Sequence, residues 1–181
     1  MGLIDLFRRG RHERTGYVLY GQAVAAARDT ALYSELGVPD TLDGRFDMVG
    51  LYTALVIRRL RGLPEPGPTL AQAMFDAMFS DMDINLREMG VGDLSVGRKV
   101  REMWEAFHGR AFSYEAALAA ADAPALAEAL ARNVWRGEAP DGAPGRLAAL
   151  VMAQDAALAA QDLSALAAGQ ARFLKLAELD A

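Results

Sequence analysis

The chain has 181 residues, a formal net charge of −5 and 52% hydrophobic residues, much of that share alanine. One domain with a sizeable core fits that length, and the acidic balance (pI near 5.1) excludes a protein that coats nucleic acid over its whole surface. With no cysteine, disulfides, thiol nucleophiles and thiolate metal sites are excluded.

Residues 1–16 read as a short amphipathic segment, in which Leu3, Ile4, Leu6 and Phe7 stand beside Arg8 and Arg9. Two readings fit. The segment docks as a terminus on the core, or it touches a membrane surface through Leu3, Ile4, Phe7, Arg8 and Arg9. The apolar start is too short for a signal-peptide core and the arginines follow it, so no secretory signal is expected. The most apolar window, residues 48–57, is about half of the roughly 20 residues that span a bilayer. The expected location is the cytoplasm, with peripheral contact at the inner face of the cytoplasmic membrane.

From residue 17 to 181 the pattern is helical. Tyr17, Tyr20, Val24 and Ala27 carry a helix to about Asp29, and a short turn over 30–36 is stopped by Gly37 and Pro39. Thr41 or Asp43 caps the next helix, expected over 44–60. That helix is apolar on nearly every side (Phe46, Met48, Val49, Leu51, Tyr52, Leu55, Val56, Ile57, Leu60) and so belongs at the centre of a bundle. Arg58, Arg59 and Arg61 crowd its C-terminal end, where the helix dipole favours cations. After the proline-rich loop 62–68, Thr69 is expected to cap a helix running to about Met89, with a stripe of Ala71, Phe75, Met78, Met82, Leu86 and Met89 widened by Met74 and Phe79.

Residues 85–99 form a glycine-punctuated break. Ser95 reads as the N-cap of a helix over 96–120, whose ladder is Val96, Val100, Met103, Trp104, Phe107, Ala111, Tyr114 and Leu118. From about residue 116 the helices are alanine-rich, with interruptions near Asp122 and over 137–145. Nothing reads as a strand. The expected fold is an all-α, single-domain helical bundle of about seven to eight helices.

Catalytic chemistry finds little support. His12 and His108 stand in no metal or nucleophile spacing, and His108 lies on the expected polar side of its helix, where it is solvated. Residues 92–97 imitate the glycine spacing of a phosphate loop, but Arg98-Lys99 replaces the Lys-Ser/Thr pair and no strand precedes it. No enzyme activity, cofactor or metal is expected. Placed after Ser95, Arg98, Lys99 and Arg101 fall in the first two turns, where the dipole penalises bases. With Arg87 and Arg110 they form a cationic group that serves either ion pairs with Glu88, Glu102 and Glu105 or an acidic partner such as a protein, a phospholipid or an RNA phosphate. The methionines between 74 and 103 either fill the core or line a surface for hydrophobic clients; the surface version comprises Met74, Met78, Met82, Met89 and Leu94.

Five ordered blocks carry a resemblance. Residues 35–48 (ELGVPDTLDGRFDM), Asp81-Met-Asp83, residues 86–100 (LREMGVGDLSVGRKV), residues 107–111 (FHGRA) and residues 132–137 (RNVWRG) together resemble the ubiquinol–cytochrome c chaperone family over about 17–137. The resemblance implies an all-α, non-enzymatic assembly factor for the cytochrome bc1 complex (respiratory complex III), and the alanine-rich tail points to a bacterial member. In the mitochondrial branch the family protein acts with a small partner, binds newly made cytochrome b and is associated with the ribosomal tunnel exit. The implied partners are cytochrome b or another bc1 subunit, a small partner protein or the ribosome, and a membrane surface, without DNA. The residues carried over as client or partner contacts are Asp43, Arg45 and Asp47 in the first block. In the third they are Arg87, Gly90, Gly92, Asp93, Arg98, Lys99 and Arg101, with the glycines shaping the backbone at the break. Two other classes compete: a ribosome- or RNA-associated helical adapter, marked by strong salt dependence, and a helical bundle that binds lipid or a small ligand.

Overall fold

In the computed structural model the backbone is described for residues 3–179 and the side chains for residues 10–179. Among the described residues there are eight α-helices and no strand: α1 (Leu3–Ala27), α2 (Thr30–Ser34), α3 (Leu42–Arg61), α4 (Gly67–Glu88), α5 (Asp93–Ala119), α6 (Ala123–Val134), α7 (Ala143–Ala159) and α8 (Leu163–Ala167), followed by a 3-10 turn at Leu176–Glu178. The all-α expectation holds. Helix α1 runs unbroken past residue 16.

The all-round apolar α3 is the central element, packed against α1, α4, α5, α6 and α7. Met48, Leu51, Val56 and Leu60 on it are almost or fully buried, each contributing roughly 1.5–3 kcal/mol relative to exposure. Thr41 starts the helix, its Oγ1 accepting from the Gly44 amide at 3.1 Å. Helices α1 and α4 lie against each other with their backbones close. A Cβ on Gly16 would stand 2.6 Å from the carbonyl carbon of Ala73, so only glycine fits the crossing. Helices α6 and α7 form a hairpin that closes one side of the core.

Two expected caps fail. Thr69 lies inside α4, its hydroxyl donating to Glu65 Oε2 at 2.8 Å. The helix starts at Gly67 instead, with Pro68 in its first turn, where a missing N–H costs nothing. Ser95 is likewise inside α5, whose N-cap is Gly92 and whose first turn carries Asp93. Starting the helix earlier places an acid where the dipole wants one and moves Arg98, Lys99 and Arg101 beyond the first turn. Their dipole penalty therefore largely disappears, and so does the phosphate-loop shape, since 93–97 is helix.

Past α8 the chain crosses α1 and α7 as an extended strap. Gln22, Gln161 and Gln154 each donate an amide N–H to a strap carbonyl (Gly169, Arg172 and Leu174) and accept a strap N–H (from Ala171, Arg172 and Leu174) at 2.6–2.9 Å. The three side chains thus supply the hydrogen bonds that a neighbouring strand would give. Phe173 packs edge-on to Tyr52 with ring centroids 5.5 Å apart.

Candidate functional site

A groove of about 490 Å³ opens between α1, α3, α4 and α5, within the roughly 300–1,000 Å³ range of ligand clefts. Phe46 and Val49 from α3, Met82 and Leu86 from α4, Met89 at the α4 end, and Met103 and Ala106 from α5 give it an apolar lining. Around them stand Arg28, Arg45, Lys99, Arg110 and Arg136, with Asp43, Asp81 and Glu102 of the opposite sign. One wall is tied across α1 and α4 by Tyr20, whose hydroxyl donates to Asp81 Oδ2 at 2.7 Å. Burial, helped by the neighbouring Asp81, pushes the Tyr20 phenol far above its ordinary value, so it stays a neutral donor.

At one end of the groove Asp47 is buried, with its side chain 1% exposed, and both of its carboxylate oxygens are taken. Oδ1 accepts from Arg110 and Oδ2 from Arg136 at 2.7 Å. Burial pushes the Asp47 carboxyl up from its ordinary value, against the opposing pull of the Arg110 and Arg136 charges. Arg110 lies over the Phe46 ring at 6.0 Å, a cation–π distance. Arg136 arrives from the α6–α7 turn with a φ of +57°, a left-handed conformation uncommon for residues with a Cβ. The turn is anchored next door, where Trp135 Nε1 donates to the Gly37 carbonyl at 3.0 Å.

The expected site residues divide. Asp43, Arg45, Asp47, Lys99, Met82 and Met89 line the groove, which brings the first and third sequence blocks together. Arg45 also pairs with Asp40 at 2.6 Å; Lys99 has no ion-pair partner among the described residues. Asp47 is not a contact surface, because it is buried beneath the two arginines. Met74 and Met78 are fully buried and leave the proposed client surface; they fill the core between α4 and α3. Leu94 and Met89 are exposed. Arg87 bridges Asp83 and Asp93 and staples the end of α4 to the start of α5. Gly90 needs its glycine at φ +80°, whereas Gly92 has an ordinary φ of −63°. Arg98 and Arg101 do not line the groove; they make i,i+4 pairs with Glu102, which does, and with Glu105. The side chains of Leu3, Ile4, Phe7, Arg8 and Arg9 lie outside the described residues.

His108 is half-buried among aromatic rings and not fully solvated. Its ring lies 4.2 Å from that of Trp104 and 5.6 Å from those of Phe75 and Phe107. Burial, with the charge of Arg61, lowers its pKa from the ordinary 6.5. Among the described residues no cluster of metal-ligating side chains occurs, and no helix is long and apolar enough to cross a membrane.

Comparison with known proteins decides the family. The model of the ubiquinol-cytochrome C chaperone family matches residues 34–173. The chain belongs to that family. Among curated proteins the chain is similar to "Ubiquinol-cytochrome-c reductase complex assembly factor 1" of Xenopus laevis, 25% identical over 119 residues. The match covers 66% of the chain and spans only 58% of that relative's length. Among solved structures the chain resembles the crystal structure of the Cbp3 homolog from Brucella abortus, at TM-score 0.85 and 36% identity, covering 98% of this chain and 99% of that one.

From the sequence Arg110 stands in the cationic group and Phe46 and Tyr20 on apolar helix stripes, but none of them, nor Arg136, is expected in a site built around Asp47. Arg110 and Arg136 sit inside the blocks FHGRA and RNVWRG, so a signal for both was present. What they hold was invisible, because Asp47 lies 63 and 89 positions away from them.

Proposed function

We propose that this chain is an assembly chaperone for the cytochrome bc1 complex that holds newly made cytochrome b through the groove between α1, α3, α4 and α5. One observation carries the proposal. All five separated blocks send residues into that groove: Leu42 to Asp47 from the first, Asp81 and Met82 from the second, Leu86, Met89 and Lys99 from the third, Arg110 from the fourth and Arg136 from the fifth. An apolar lining with three methionines accepts varied hydrophobic side chains, as a segment awaiting membrane insertion requires. The role is non-enzymatic, a small partner protein is its companion, and the location is peripheral at the inner face of the cytoplasmic membrane.

The test is a pull-down from detergent-solubilised native membranes, probed for cytochrome b and for ribosomal proteins, with Lys99→Glu and Arg98→Glu side by side. Lys99 lines the groove and Arg98 does not, so the first change reduces cytochrome b recovery several-fold and the second leaves it near wild type, with helix content unchanged in both. Recovery of ribosomal RNA without bc1 subunits instead favours the adapter function. Unchanged cytochrome b and bc1 levels after gene deletion refute the proposal.

A further inference from the structure

We infer that the Arg110–Arg136 pair, held by the buried Asp47, is a seat for one carboxylate carried on an apolar segment of the client. This rests on the groove being the client site. Two guanidiniums share a single carboxylate there, so the cluster keeps one net positive charge. Each guanidinium has five N–H donors, and the bonds to Asp47 occupy one terminal nitrogen of each. The side chains of Arg110 and Arg136 are 22% and 48% exposed, and both line the groove. Donors and charge therefore remain for a guest.

The seat is built ahead of any guest. Asp47 fixes one side of each guanidinium, Phe46 lies beneath Arg110, and the left-handed backbone at residue 136 aims the second arginine. Glycine adopts that conformation at no steric cost, yet an arginine stands there; strain of this kind clusters at ligand clamps.

The spare charge also sets the kind of guest. A monoanionic carboxylate matches one net positive charge and forms forked bonds with guanidinium. A phosphate dianion exceeds that single positive charge and meets about twice the repulsion that a carboxylate does from Asp43 and Asp81 in the same groove. A wholly apolar segment fares worse than an acidic one, since it strips water from two guanidiniums and offers nothing in exchange. The groove thus selects apolar segments that bear an acid.

The experiment uses the full chain and a fluorescent leucine–alanine helical peptide with one central glutamate, against its glutamine twin, read by anisotropy. The glutamate peptide binds about ten-fold tighter or more, the effect of a charge-assisted hydrogen bond at a partly desolvated site. Arg136→Gln brings the ratio near one, Arg136→Lys keeps part of it, and Arg132→Gln, an exposed position on α6 outside the groove, keeps all of it; circular dichroism verifies that each variant is folded. Equal binding of the two peptides by the wild-type chain overturns this inference and leaves the groove as a client site. No binding of either overturns both. Preference for phosphatidylglycerol vesicles over both peptides gives the seat to a lipid headgroup and overturns the carboxylate guest.

Discussion

Alanine introduced at two glycines of α1, five positions apart, should move stability in opposite directions. Gly21 is exposed and nothing lies within 4 Å of where its Cβ would go. Gly21→Ala therefore gains only helix propensity, up to about 1 kcal/mol. Gly16 is buried at the α1–α4 crossing, where a Cβ meets the Ala73 backbone at 2.6 and 2.7 Å and its Cβ at 2.8 Å. Backbone cannot rotate away, so the helices must part by about 1 Å to restore the roughly 3.5–4.0 Å of carbon contact. Overpacking of this kind costs about 1–3 kcal/mol, and the same propensity gain offsets about 1 of it. The net loss is about 0–2 kcal/mol. At about 2–4 °C per kcal/mol for a chain of this size, thermal unfolding followed by circular dichroism should show Gly21→Ala raised by up to about 4 °C and Gly16→Ala lowered by up to about 8 °C. Tyr20 lies one turn beyond Gly16 and is tied to Asp81, so Gly16→Ala also widens the groove and weakens peptide binding. Equal increases in Tm for both variants would refute the close crossing of α1 on α4.

Removing the buried clamp of the strap, by Gln154→Leu, leaves the Leu174 N–H and carbonyl without their partners; the expected loss is about 2–4 kcal/mol in urea unfolding, and a change under about 0.5 kcal/mol would show that the strap does not need it. His108 has a folded-state pKa below the ordinary 6.5, so on acidification the unfolded chain takes up the proton first. Its stabilising contribution is complete above that value and is lost as pH falls below it, towards the folded-state pKa. Urea midpoints at about pH 7.5 and about pH 5.5 should therefore fall more steeply for wild type than for His108→Gln, and parallel lines would contradict the burial of the ring.

Much of the helical layout could be read from spacing alone. The absence of any polar face on α3 requires a central position, because a helix apolar all round is stable only when surrounded. Of the two candidate caps of α3, Thr41 and Asp43, the helix uses Thr41, whereas the single candidates Thr69 and Ser95 both fall inside their helices. At α5, Ser95 can cap in isolation, but the Arg87 bridge to Asp93 and the left-handed Gly90 bring the chain in earlier, so the helix starts at Asp93.

By itself the sequence determined the fold class, the central helix and the blocks that mark the family, since these depend on local periodicity and residue chemistry. Only the tertiary structure decided which of those residues meet. Met74 and Met78 share a stripe with Met82 and Met89, yet the first pair is core and the second lines the groove, because the helices packed on α4 close over the first stretch and part at the second to leave the groove. Asp47, Arg110 and Arg136 come from three distant parts of the chain. Their union depends on α3 and α5 crossing beside the α6–α7 turn, a packing outcome that no spacing along the chain records.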